Sequence, residues 1–247
     1  MPNYLRSELY RLVRKKAVFV FLALCILGPL FITLLTASTG GELYANTEVT
    51  FKAALSMWSL PFFIVPILVS LLVSDEFTDG TFKNTVAYGI SRSTFFYGKW
   101  IIEMLLFIVS WTITYSSLTA SVFLILPNTG VSYFLDFTHS IFGVLPLLLA
   151  ALTVSHCLCF LTEKSLPHLV SYVVIMIVLP ELYFMFANRI PALKEVVETL
   201  PLFPYAAAND LFWMKPNGLL LCWIIGASYV LLALLVSTRR VMVKEFK

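Results

Sequence analysis

Residues Ser74 to Lys99 read SDEFTDGTFKNTVAYGISRSTFFYGK, and what flanks them decides the fold. Ala54 to Val73 before them carries no charge, and Trp100 to about Leu126 after them carries one, Glu103. About 20 apolar residues at ~1.5 Å per residue cross the ~30 Å hydrocarbon layer of a bilayer, so each flank has the length of a membrane span. Asp75, Glu76, Asp79, Lys83, Arg92 and Lys99 crowd into the segment between them. The stretch reads as a polar elbow joining two spans.

The whole chain fits that reading. It has 247 residues, 60% of them hydrophobic and 13% charged, and a mean hydropathy of +0.90. A water-soluble core of that size cannot hold so much apolar surface. Four further apolar runs follow the same rule: Ala17 to about Thr36, about Ile141 to Leu161, about Pro167 to Ala187, and about Gly218 to Ser237. The first is too long for the core of a cleavable signal peptide and is read as a permanent span. Pro61 and Pro66 interrupt the second span, which requires neighbouring helices to satisfy the carbonyls they free. Cys25, Cys157, Cys159 and Cys222 all lie within apolar runs, as small hydrophobes and not a disulfide framework. The expected fold is an all-α polytopic membrane protein with six transmembrane helices over residues 17–237.

Three other segments complete the plan. Residues 1–16 put Leu5, Leu9, Leu12 and Val13 at helical spacing, with Arg6, Arg11, Arg14, Lys15 and Lys16 largely elsewhere on the wheel, as an interfacial helix on membrane lipid requires. The connection 188–217 is long and half apolar. There Ala192 to Leu200 is expected to form a helix ended by Pro201 and Pro204, with Trp213 at the interface, so that short external helices cap the bundle. A tail, 238–247, closes the chain. Six spans put both termini on one side, and that side carries thirteen of the seventeen Lys and Arg residues, so both termini and the Ser74–Lys99 elbow are expected to be cytoplasmic. The net charge of +3 is spread over span ends, which argues against nucleic acid as a partner.

The chain has no nucleotide-binding loop. Gly98-Lys99 is followed by Trp100, and Ser93 stands where a phosphate loop needs glycine. The elbow has its own logic. Gly80 permits a sharp turn, Thr81 is placed to cap the following helix, Phe82 and Phe77 are expected to offer apolar surface to a soluble partner, and Ser91 or Ser93 to start the next helix. Arg92 and Lys99 suit anionic headgroups or a partner's carboxylates. A loop obeying charge rules alone would leave Asp75, Glu76 and Asp79 unexplained.

From Glu76 to Asn84 the elbow runs E-x-x-x-G-T-x-K-N, followed by Ser91-Arg92 and Lys99. This resembles the permease subunit of type-2 ABC exporters, bacterial proteins of the cytoplasmic membrane, and the likeness extends to the six-span plan, the basic amphipathic N-terminus and the long last external connection. The resemblance implies a short coupling helix between spans 2 and 3, with Asp75, Glu76, Phe77, Gly80, Thr81, Phe82, Lys83, Arg92 and Lys99 coupling to two separate ATPase subunits. ATP and Mg would be bound there and not by this chain. It also implies a second permease, identical or a sister, and export of a peptide, antibiotic or lipid-like cargo, in the manner of peptide-export and bacteriocin-immunity systems.

Within the spans, Glu103 lies one turn from Lys99 and is expected to pair with it, with a place on the substrate path as the alternative. Glu181, beside Pro180, could line an outer gate or face the interface; its nearest basic residue in sequence is Arg189. His156, Cys159 and Glu163 share a helical face, but three ligands without a fourth favour a helix contact over a metal site. A membrane-embedded enzyme using Glu76, Glu163, His156 or His168 is a rival reading, although no His-Glu-x-x-His or paired-glutamate spacing supports it. A non-catalytic sensor or scaffold is another.

Overall fold

The computed structural model describes residues 1–39, 41–187, 189–190, 202–212 and 218–243. All regular structure among them is helical. Among the described residues five helices are long and apolar enough to cross a bilayer, and a bent pair supplies a sixth crossing when its two arms are taken as one span. Helix α1 (Pro2–Leu12) precedes span 1, α2 (Lys16–Thr39). The bent pair is α3 (Thr47–Ser56) and α4 (Leu60–Val69), the latter running on through a π-helical turn, Ser70–Ser74. Two short helices, α5 (Asp75–Thr78) and α6 (Thr81–Ala87), form the elbow. Span 3 is α7 (Arg92–Ile125) and span 4 is α8 (Ser132–Thr162). Span 5 is α9 (Ser165–Val173), a second π-turn (Val174–Val178) and α10 (Leu179–Ala187). A further helix, α11 (Pro204–Phe212), precedes span 6, α12 (Gly218–Val243).

Several boundaries differ from the sequence reading. The second span is not one helix from Ala54 to Val73: its arms meet at 60° around Met57–Ser59. Pro61 has no N–H and its ring collides with the carbonyl four residues back, so the chain breaks there and restarts with Pro61 in the first turn. The arm before the break starts ahead of the expected Ala54, at Thr47, because the Asn46 side chain accepts the Val49 amide at 2.9 Å as an N-cap. Span 3 begins at Arg92 and not Trp100, because the Ser91 hydroxyl accepts the Thr94 amide at 3.1 Å, the capping role foreseen for Ser91 or Ser93. Span 4 begins nine residues earlier than expected, at Ser132. The expected helix at Ala192–Leu200 and the Trp213 anchor lie outside the described residues.

The chain divides into two compact units, Met1–Met57 with Met104–Ile141, and Trp58–Glu103 with Phe142–Lys247. In the first, Phe51 is wholly buried among Phe123, Phe134 and Phe137, with ring centroids 5.3–5.6 Å away. Two polar contacts tie span 1 to span 3: Thr33 to Ser121 at 2.9 Å, and the Ser117 hydroxyl to the Ile26 carbonyl at 2.8 Å. In α1, Tyr4 and Glu8 are buried while Leu9 and the C-cap residue Val13 are exposed, and Glu8 pairs with Arg11 at 2.9 Å. An exposed apolar edge beside basic residues is the pattern an interfacial helix needs.

The second unit is built on span 4, whose Leu147, Leu148, Ala150, Ala151 and Leu152 are wholly buried. Span 6 packs closely on it at Gly226, where a Cβ would lie 2.6 Å from the Pro146 carbonyl oxygen. Span 5 meets span 2 through Tyr172, whose hydroxyl donates to the Phe62 carbonyl at 2.9 Å. Phe62 stands four residues before Pro66, so its carbonyl is the one that Pro66 leaves without a helical donor. The neighbouring helix supplies that donor, as the sequence required.

Candidate functional site

The elbow is a turn of fixed shape. Gly80 has φ 68°, the left-handed region that glycine enters at least cost, and a Cβ there would touch nothing within 4 Å; the backbone angle itself calls for glycine. Its carbonyl accepts the Lys83 amide at 3.1 Å, which makes Gly80 the N-cap of α6. Thr81 therefore does not cap the helix that follows. Standing one residue inside it, Thr81 turns its hydroxyl back to the Glu76 carbonyl at 3.2 Å and closes the end of α5.

The phenylalanines also differ from expectation. Phe82 is only 4% exposed and cannot present apolar surface to a partner. It packs on Phe77 (5.4 Å between centroids) and edge-on to Phe95 (4.7 Å), and this cluster continues to Phe160 of span 4. Edge-to-face pairs of this kind add to the area they bury, so Phe82 and Phe77 pin the elbow to spans 3 and 4. The outward surface comes from other residues: Asp79, Thr81, Lys83, Asn84, Ala87, Gly89 and, at 89% exposure, Tyr88. Tyr88 was missed because its neighbours give no sign of which face of so short a helix is covered. Arg92 is half-buried at the start of span 3. Asp75 opens α5, and its side chain lies outside the described part.

Behind the elbow lies a row of buried ionisable groups. Lys99 forms an ion pair with Glu76, both almost fully buried. One helical turn on, Glu103 does not take Lys99 as its hydrogen-bonded partner; the His156 Nδ1–H donates to its two carboxylate oxygens at 2.9 and 3.0 Å. Glu103 and His156 have no solvent exposure. The Trp100 indole N–H donates to Thr153 at 3.1 Å, and Ser155 hydrogen-bonds His168 Nε2 at 2.8 Å. These contacts form a polar belt from the elbow to span 3, from span 3 to span 4 and from span 4 to span 5, and Tyr172 on the Phe62 carbonyl joins span 5 to span 2. Belt pairings were illegible in the sequence, since Glu103 and His156 stand 53 residues apart on different helices.

No three His, Cys, Asp or Glu side chains among the described residues converge on a metal position. Glu163 leaves the helical face it was expected to share with His156 and Cys159, because it follows the helix end with φ 56°. Glu181 is exposed at the start of α10; burial first, and then the Glu181 charge, push the Tyr205 phenol pKa above its ordinary value. Tyr205 packs against Trp58 at 4.9 Å and Phe62 at 5.6 Å.

No curated protein matches the chain. The family model described as ABC-2 family transporter protein matches residues 4–179, which take in α1, spans 1 to 4, the elbow and most of span 5. That covers well over half of the 247 residues, so this multi-pass helical chain belongs to the ABC-2 transporter family, whose members are the membrane components of ABC transporters.

Proposed function

We propose that the chain is the permease subunit of an ATP-driven exporter, moved by separate ATPase subunits that dock on the elbow between spans 2 and 3. One observation carries the reading: α6 is held from behind by buried Phe82 while it offers Lys83, Asn84, Ala87 and Tyr88 outward. A docked protein can push on such a helix, and the aromatic anchor passes the push to spans 3 and 4. Phe77, Gly80, Thr81 and Phe82 shape the segment, Asp79, Lys83 and Tyr88 face the partner, and Glu76, Arg92 and Lys99 fix its ends. Two permeases, identical or sister, would enclose the path, with both termini in the cytoplasm of a bacterial cell, as the Lys and Arg distribution supports. Few fixed charges lie within the spans, which favours an amphipathic or hydrophobic cargo, such as a peptide, an antibiotic or a lipid-like molecule. Glu181 stands where an outer gate would be.

The test is ATP hydrolysis by the complex purified in mild detergent on a tag attached to this chain. Vanadate-sensitive turnover is expected, with loss of about tenfold or more when Tyr88→Ala is combined with Lys83→Glu, since exposed aromatic and charged anchors dominate docking energies. Full turnover in that double variant, or a purified chain without ATPase, contradicts the proposal.

A further inference from the structure

We propose that Glu103 and His156 are positioning residues that carry displacement of the elbow into span 4, as the second link of a buried polar tether whose first link is Glu76–Lys99. The inference rests on the docking reading above and adds the route by which the force travels.

Glu76 lies on α5, directly after the π-turn Ser70–Ser74. Wide π-turns sit inside helices where the regular ladder is interrupted, and so mark a place where the register of span 2 can shift. Glu76 holds Lys99. Lys99 and Glu103 stand one turn apart on the unbroken helix α7, so movement of one is movement of the other. Glu103 in turn grips His156 on span 4. Phe96 and Phe160, each with its ring centroid 4.7 Å from the imidazole, restrict its swing. The adjacent Ser155 passes the linkage to His168 on span 5. With next to no exposure along this row, water does not compete for these contacts.

A pair that served only as glue could be replaced by apolar side chains at little cost, with no functional consequence. That property separates a tether from glue. The experiment is hydrogen exchange by mass spectrometry on the complex in nanodiscs, with and without ATP and vanadate, followed at the elbow (79–91) and at the turn ending span 4 (162–166). In the wild type both respond. In Glu103→Leu with His156→Leu the elbow response is expected to persist while the span 4 response falls about fivefold or more. Exchanging the pair, Glu103→His with His156→Glu, is expected to restore it to within about twofold. A span 4 response of wild-type size in the leucine pair overturns the proposal. Should that pair fail to fold, Glu103→Gln serves, with a drop of about twofold expected and an unchanged response overturning the tether. A wild-type elbow that ignores nucleotide removes the docking reading itself, a result distinct from any of these.

Discussion

Gly80 and the Glu76–Lys99 pair show how single residues set this site. At φ 68° an L side chain costs about 1–2 kcal/mol, so Gly80→Ala is expected to loosen the elbow and speed protease cleavage near Asp79, with the spans intact. Unchanged cleavage would mean that the turn relaxes without strain. Lys99→Met takes from Glu76 its buried cationic partner, and loss of one member of such a pair costs about 3–5 kcal/mol. Glu76→Leu together with Lys99→Met is expected to recover most of that loss. Thermal unfolding in nanodiscs checks both, and equal destabilisation of single and double variants would contradict the pairing. The sequence made the elbow legible through its charges and its Gly-Thr pair. It could not tell that Phe82 faces inward, because burial on a helix as short as Thr81–Ala87 depends on Phe95 and Phe160, which arrive from other spans.

At the scale of elements, the prolines are the instructive case. Pro61 and Pro66 read alike in sequence, yet one breaks span 2 and the other does not. Pro66 is accommodated by the Tyr172 hydroxyl on the Phe62 carbonyl. Tyr172→Phe is therefore expected to cost about 1–2 kcal/mol in the native chain and distinctly less in a Pro66→Ala background, where a backbone N–H returns. A double-mutant cycle in thermal stability reads the difference, and additive effects would contradict the account. Span existence was legible from hydropathy throughout. The starts of spans 3 and 4 were not, because Arg92–Lys99 and Ser132–Ser140 are polar on average while Phe95, Phe96 and Phe137 are buried. A window average hides an amphipathic extension of that kind.

At the scale of the whole molecule, the family match and the helical plan agree with the composition: this is a membrane component of a transporter that carries no phosphate loop in its sequence. The central claim is that force enters through the exposed face of the elbow from the cytoplasmic side. Its most direct measurement uses Tyr88→Cys, with Cys25 replaced by alanine and the buried Cys157, Cys159 and Cys222 retained. A membrane-impermeant maleimide is expected to label Tyr88→Cys in inside-out vesicles and not in right-side-out ones, with labelling suppressed about tenfold when the ATPase subunits are bound. Labelling from the outer face, or labelling indifferent to the bound ATPase, would contradict the account.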